Sequence, residues 1–280
     1  MPIIDAQVHC YERDHPGRPW HAVLAGPPEV TGADMVQAMD QVGVDGAILV
    51  SAFTMYRFDA SYAVDVRNAY PDRFGLVKPI DTADPANAET VAEWKRVPGA
   101  VGVRLFMRDP VTRDPADPGI NRLLAAAAQH DLPVNTLAYG RLDQVDELAR
   151  RNPNTIMVLD HLGLSQPHHP PVPAEPRAEL PALLALAKHP NIMVKITGAC
   201  TLSLQGYPYD DIWGPLARIF DAFGMERCLW GTDWTRAVEL LTYRQGVEPF
   251  RITDRLSDSD RAALMGGNTA RVYRWAPNKN

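Results

Sequence analysis

Short apolar, β-rich runs alternate with amphipathic helical segments along nearly the whole chain, and few folds tolerate that rhythm. The runs are Ile3–Val8, Gly46–Val50, Phe74–Pro79, Ala100–Phe106, Pro133–Leu137, Thr155–Leu159, Ile192–Ile196 and Arg227–Trp230. Most are apolar on both faces, as strands buried beneath helices in a parallel sheet must be. Between them lie helical patterns at Ala33–Val42, Ser61–Tyr70, Ala86–Arg96, Ile120–His130, Leu142–Arg151, Leu180–Lys188 and Trp213–Phe223. A last helix is expected over Thr253–Met265, with Ser257 as a helix N-cap. Eight strand–helix repeats in 280 residues predict an α/β fold, a single (β/α)8 TIM barrel over residues 1–280. Two long loops are expected at the C-terminal face: Glu12–Thr31 after the first strand, and the proline-rich Ser165–Pro176 after the sixth.

Charge and cysteine content narrow the setting. The net charge is −6, with no basic run, which argues against nucleic acid or an anionic membrane as partner. Cys10, Cys200 and Cys228 are odd in number and lack metal-site spacing, which suggests a reducing compartment. The N-terminus has no secretory pattern and no apolar stretch is long enough to span a bilayer, so a cytoplasmic protein is expected.

Three predicted strand ends carry polar side chains that a purely structural strand would not choose. They are Asp5-Ala6-Gln7-Val8-His9, Leu159-Asp160-His161-Leu162-Gly163 and Trp230-Gly231-Thr232-Asp233-Trp234. Period-two alternation places residues 5, 7 and 9 on one face, which would aim Gln7 and His9 into the barrel mouth. In a barrel these strand ends converge on one pocket. His9, His161 and Asp233 can there hold one divalent ion, or position and deprotonate a water without metal, with Asp233 as general base.

With these motifs the sequence resembles the amidohydrolase superfamily, in the amidohydrolase-related (amidohydrolase 2) branch that holds metal-independent and mononuclear lactonases. Val-Gly-Val-Arg-Leu at 101–105 and Val-Lys-Ile-Thr-Gly at 194–198 add to the likeness, which spans nearly the whole chain. The resemblance implies a barrel fold, hydrolysis of an ester, lactone or amide, and in some members a single divalent metal. One departure matters: the family's strand-one His-x-His has Gln7 in place of its first histidine. Glutamine binds Zn²⁺ poorly, and the fourth and fifth strands end in Leu105-Phe106 and Leu137-Ala138 without a bridging lysine. A two-metal centre is therefore not expected. One ion, Zn or Mn, held by His9, His161 and Asp233 and no metal at all both stay open. Gln7 itself can bind substrate, or hydrogen-bond Asp233 or nearby backbone.

Arg104, inside an apolar strand, is the candidate anchor for a substrate carboxylate. Its alternative is an internal ion pair with an aspartate such as Asp81. Arg108 reads as a surface arginine or a second clamp. Tyr139 is a candidate hydrogen-bond donor, Ser51 and Thr54 candidate polar contacts, and Trp20, Trp234, Phe53 and Tyr56 candidate apolar walls. Lys195, if it faces the lumen, needs a carboxylate partner or binds substrate. His168 and His169 read as exposed loop residues.

The expected function is hydrolysis of a small carboxylated lactone or ester by an enzyme of lactonase or esterase type. Arg104 would hold the anion, His9 and His161 would polarise the carbonyl, and Asp233 would activate water. The alternatives are a metal-dependent, non-oxidative decarboxylase of an aromatic acid on the same fold, and a non-catalytic binding barrel. A homodimer is compatible with the resemblance.

Overall fold

Eight parallel strands in the order β1 to β8 form one sheet in the computed structural model of the chain, which describes residues 1–23, 26–107 and 114–278. Arg108 lies outside the described residues. The elements run β1 (Ile4–Val8), α1 (Gly32–Val42), β2 (Gly46–Val50), α2 (Phe53–Tyr56), α3 (Ser61–Ala69), β3 (Phe74–Pro79), α4 (Asn87–Lys95), β4 (Ala100–Phe106), α5 (Pro118–Gln129) and β5 (Val134–Leu137). They continue with α6 (Leu142–Arg151), β6 (Met157–Leu159), α7 (Leu180–Ala185), β7 (Ile192–Lys195), α8 (Trp213–Phe223), β8 (Cys228–Leu229), α9 (Tyr243–Ile252), α10 (Asp258–Ala262) and α11 (Asn268–Tyr273). The sheet curls round on itself: the Ala6 amide donates to the Trp230 carbonyl at 3.0 Å, tying β1 to the segment just past β8. This is the (β/α)8 barrel the sequence predicts.

Two apolar layers hold it. Ala6, Ile48, Val77, Val158, Met193 and Leu229 come from six different strands and pack together with Tyr273 of α11, which only a barrel interior permits. The opposite strand faces, including Val8, Leu49, Leu105 and Val194, pack against helix residues such as Met35, Met39, Leu123 and Ile219. At roughly 25 cal/mol per Å² of apolar surface removed from water, each such fully buried Leu or Ile contributes about 2 kcal/mol before entropy is counted.

Capping residues fix the helix starts. Thr31 ends the long loop after β1 and caps α1, exchanging hydrogen bonds with Asp34 (Thr31 N to Asp34 Oδ2, 2.8 Å; Asp34 N to Thr31 Oγ1, 3.2 Å). Asp117 caps α5, whose first residue is Pro118. The last expected helix does not begin at Thr253. Ser257 does cap a helix, but it is the short α10, followed by a π-type stretch and α11. The helix α9 over Tyr243–Ile252 is absent from the sequence reading, because Gly246 and the internal Pro249 lower its intrinsic helix propensity. A capping box of Thr242 and Gln245 starts it and its buried face secures it.

Candidate active site

The three motif-bearing strand ends meet at the C-terminal mouth. The strict alternation expected along β1 breaks: its register with β2 shifts between Asp5 and Val8. Asp5 therefore does not share the environment of Gln7 and His9. It is fully buried and accepts hydrogen bonds from the Gln7 and Thr232 amides (3.0 and 2.9 Å), the Thr232 hydroxyl (2.6 Å) and the Tyr243 hydroxyl of α9 (3.2 Å). Burial pushes its carboxyl up to about 6 against these hydrogen bonds. Asp5 thus pins the Gly231-Thr232-Asp233 turn to β1. Gly231 is required there, since a Cβ would sit 2.6 Å from Thr197 Cγ2 and 2.7 Å from Asp5 Oδ1.

His161 and Asp233 both have left-handed backbones, with φ of 54° and 49°. Non-glycine residues held this way cost free energy that the surrounding structure must supply, and such strain gathers at functional sites. The Asp233 amide donates to the Gln7 carbonyl at 3.1 Å, and the His161 amide to Thr197 Oγ1 at 3.1 Å.

The three side chains converge as the sequence predicts. His9 Nε2 is 3.3 Å from Asp233 Oδ1, and His161 Nε2 is 3.7 Å from Asp233 Oδ2. His9 Nδ1 lies 2.6 Å from the Val50 carbonyl, which only accepts, so Nδ1 carries a proton. The Nε2 of His9, which faces Asp233, can donate into the site only when both ring nitrogens carry a proton.

Below these three lies a buried polar chain that the sequence only hinted at. Lys195, fully buried, donates to Gln7 Oε1 at 2.8 Å and pairs with Asp160 Oδ1 at 3.1 Å. Asp160 Oδ2 accepts from Arg104 Nε at 2.8 Å. Lys195 therefore faces the lumen and has the carboxylate partner it needs. Arg104 forms an internal ion pair, with Asp160 and not Asp81, while still bordering the cavity. The Gln7 side chain bonds neither Asp233 nor backbone: its Nε2 meets His161 Nε2 at 3.2 Å.

Burial alone would raise both carboxyls of the centre, but opposite charge wins. Lys195 and Arg104 bring Asp160 down to about 2. The two imidazoles and Arg236 hold Asp233 well below the usual carboxylate range, so it is ionised at neutral pH. Burial lowers His161 to about 4, with Arg104 and Lys195 adding to the effect against the pull of Asp233 and Asp160, so its imidazole is neutral.

These shifts set an acid profile. His161 contributes stability that is present above its unfolded value near 6.5 and is lost as pH falls through 4. Asp5, raised, acts in the opposite sense, and its contribution grows as pH falls from 6 towards 3.8. Asp160 then loses its contribution, on the order of 2 kcal/mol, as pH falls from 3.8 through 2. The urea midpoint should therefore change little between pH 6.5 and 4 and drop steeply below 4. A midpoint already collapsing near pH 6 would contradict these assignments.

The mouth above the centre is a cavity of about 290 Å³. His9, His161, Asp233, Arg104, Tyr139 and Thr54 line it, as does Phe53. Phe106, on which Phe53 packs at 4.0 Å between ring centroids, lines it too. Five expected contacts do not: Gln7 is fully buried and spends its amide on Lys195 and His161 instead of substrate, and four others turn away. Ser51 is turned to the Asp59 carbonyl (2.8 Å) and closes the loop after β2. Tyr56 is buried and its hydroxyl accepts from the Glu12 amide at 3.0 Å. Trp20 packs edge-on against Tyr11 and donates from its indole to the Glu12 carbonyl. Trp234 packs against Tyr243 at 5.5 Å. His168 is not merely an exposed loop residue, since it borders the cavity, whereas His169 is exposed and pairs with Glu239 at 3.0 Å.

Arg57 and Arg236, which the sequence reading did not single out, also line the cavity. Arg57 has a left-handed backbone (φ 51°) and its guanidinium lies over Phe53 at 5.2 Å. Both sit on loops past strand ends, where periodicity carries no signal.

Among the described residues, no group of three or more His, Cys, Asp or Glu side chains is arranged to hold a metal ion. The hydrogen bonds show why. Lys195 can only donate, so the Gln7 atom it meets is the amide oxygen, and the amide nitrogen then donates to His161 Nε2. That occupies the lone pair a metal would need. A metal ion at His9, His161 and Asp233 would have to displace this hydrogen bond.

Two imidazoles and an ionised carboxylate at the C-terminal strand ends of a (β/α)8 barrel define the class of barrel hydrolases. The chain belongs to the amidohydrolase family, whose model matches residues 4–275, and is a hydrolase of that family. The L-fucono-1,5-lactonase of Burkholderia ambifaria is 27% identical over 97% of this chain and 95% of its own length. The D-galactarolactone isomerase of Agrobacterium fabrum is 25% identical over 82% of this chain and 75% of its own. A crystal structure of an amidohydrolase from Burkholderia multivorans with bound zinc superposes with a TM-score of 0.81 at 25% identity, covering 98% of this chain and 99% of that one. No helix of the described residues is long and apolar enough to cross a membrane.

Proposed function

We propose that the protein hydrolyses a small anionic lactone, with Asp233 as general base. The observation that carries this reading is an ionised carboxylate with two imidazole nitrogens 3.3 and 3.7 Å away, at the floor of a cavity bordered by Arg57, Arg104 and Arg236. The lactone-named relatives support the substrate class. Among the described residues, three guanidiniums against one lining carboxylate favour a substrate carrying carboxylate or a similar anion.

In this mechanism His9 acts as an imidazolium, whose Nε2–H is donated to the lactone carbonyl rather than to Asp233, which leaves Asp233 the stronger base. Asp233 Oδ2, 3.7 Å from His161 Nε2, accepts one hydrogen of the attacking water, while the His161 lone pair is taken by the Gln7 amide. The water oxygen bonds the acyl carbon as its proton passes to Asp233, and the oxyanion is held by His9. The ring C–O bond then breaks and Asp233 returns the proton to the departing oxygen, giving a hydroxy acid. Polarisation thus falls to His9 alone rather than to both histidines. No step draws on a metal, and the decarboxylase and binding-barrel alternatives draw no support from this arrangement.

The test is a hydrolysis screen over carboxylated and neutral lactones, with chelator and with added Zn²⁺ or Mn²⁺, for wild type and Arg57→Gln. Turnover of a carboxylated lactone in chelator is expected, with KM raised about tenfold or more in Arg57→Gln for that substrate and not for neutral ones. Turnover confined to neutral lactones, or none without added metal, would overturn the reading.

A further inference from the structure

We infer that Lys195 and Gln7 are positioning residues that fix the tautomer of His161. This rests on the lactonase reading only for its kinetic consequence. Each link runs one way. Asp160 Oδ1 holds the Lys195 ammonium at 3.1 Å, and Asp160 is itself held by Arg104. Lys195 Nζ, a donor with no acceptor capacity, meets Gln7 Oε1 at 2.8 Å and so sets which way round the amide lies. Gln7 Nε2 must then donate to His161 Nε2 at 3.2 Å, which forces a lone pair there. The remaining proton lies on Nδ1, 3.1 Å from Thr197 Oγ1. Every residue in this chain is buried, with Lys195, Gln7 and Thr197 at 0% exposure, so bulk water does not offer substitute partners.

The strand-one position therefore keeps a role after losing its histidine. A cation on β7 and an amide on β1 hold the His161 proton on Nδ1, just as the Val50 carbonyl holds a proton on Nδ1 of His9. Both imidazoles flanking Asp233 thus have their Nδ1 protons fixed by neighbours before substrate enters. Removing the ammonium lets the Gln7 amide turn over and present its oxygen, which His161 can meet only with a proton on Nε2.

The experiment is long-range ¹H–¹⁵N correlation of the imidazoles in protein labelled with ¹⁵N-histidine, His161 being assigned by its loss in His161→Asn. Wild type should show His161 protonated on Nδ1. Lys195→Met should shift it to a mixture or to Nε2–H, and Lys195→Arg should restore Nδ1–H. Gln7→Glu keeps the size of the side chain and removes its N–H donor, so it should also move the proton to Nε2. It decides the matter if Lys195→Met does not fold. With a substrate in hand, Gln7→Glu should lower kcat about tenfold to a thousandfold with KM within about twofold, as tautomer errors do in other hydrolases. Nε2–H in wild type, or Nδ1–H persisting in the variants, would overturn the inference. Failure to find lactone turnover would leave these spectra as decisive as before.

Discussion

Asp233→Asn is expected to lower kcat by about a thousandfold or more, since a positioned general base contributes roughly 10²–10⁴ and an amide cannot accept the water proton. The change preserves shape. The backbone hydrogen bond from residue 233 to the Gln7 carbonyl does not involve the side chain, and His9 can still donate to the amide oxygen. Binding of a carboxylate product, measured by calorimetry, should therefore stay within a few fold. A variant retaining near-wild-type kcat would place the base elsewhere and leave the strained backbone at Asp233 without a catalytic reason.

The largest effect on stability is expected at Asp160. Its two oxygens face Arg104 Nε and Lys195 Nζ, and all three residues are nearly or wholly buried. Removing the anion leaves two desolvated cations facing each other, and breaking a buried pair of this kind costs about 3–5 kcal/mol. Asp160→Ala should lose that much in urea denaturation, if it folds at all. Replacing Arg104, Asp160 and Lys195 together by Met, Leu and Met should recover most of it, because a well-packed apolar substitute for a buried charge triad is often neutral. Equal losses in the single and triple variants would mean that packing, not charge, governs the site.

Much of this was legible in the chain. Seven of the eight strand spans needed no correction of more than a residue at either end, because buried parallel strands are continuous apolar runs bounded by polar or turn residues. The convergence of His9, His161 and Asp233 followed from barrel topology alone. What escaped was pairing. Asp160 stands beside His161 in its motif, yet its partners lie on β4 and β7, and Gln7 and Lys195 are 188 residues apart. Alternation tells which face a side chain takes, not which charge meets it across the lumen. The break in β1 register sent Asp5 to Tyr243 and Thr232, which strict period-two counting does not foresee. Loop residues fared worst. Trp20 and Trp234 turned to neighbouring rings, while Arg57, His168 and Arg236 reached the cavity from segments without periodicity.

The most direct measurement of the reaction is oxygen tracing. With the carboxylated lactone that turns over fastest, a single turnover in H₂¹⁸O should place one ¹⁸O in the newly formed carboxylate and none in the released hydroxyl, as attack of water on the acyl carbon requires. Label in the hydroxyl, or a converted product without solvent oxygen, as an intramolecular acyl shift would give, would contradict water activation by Asp233.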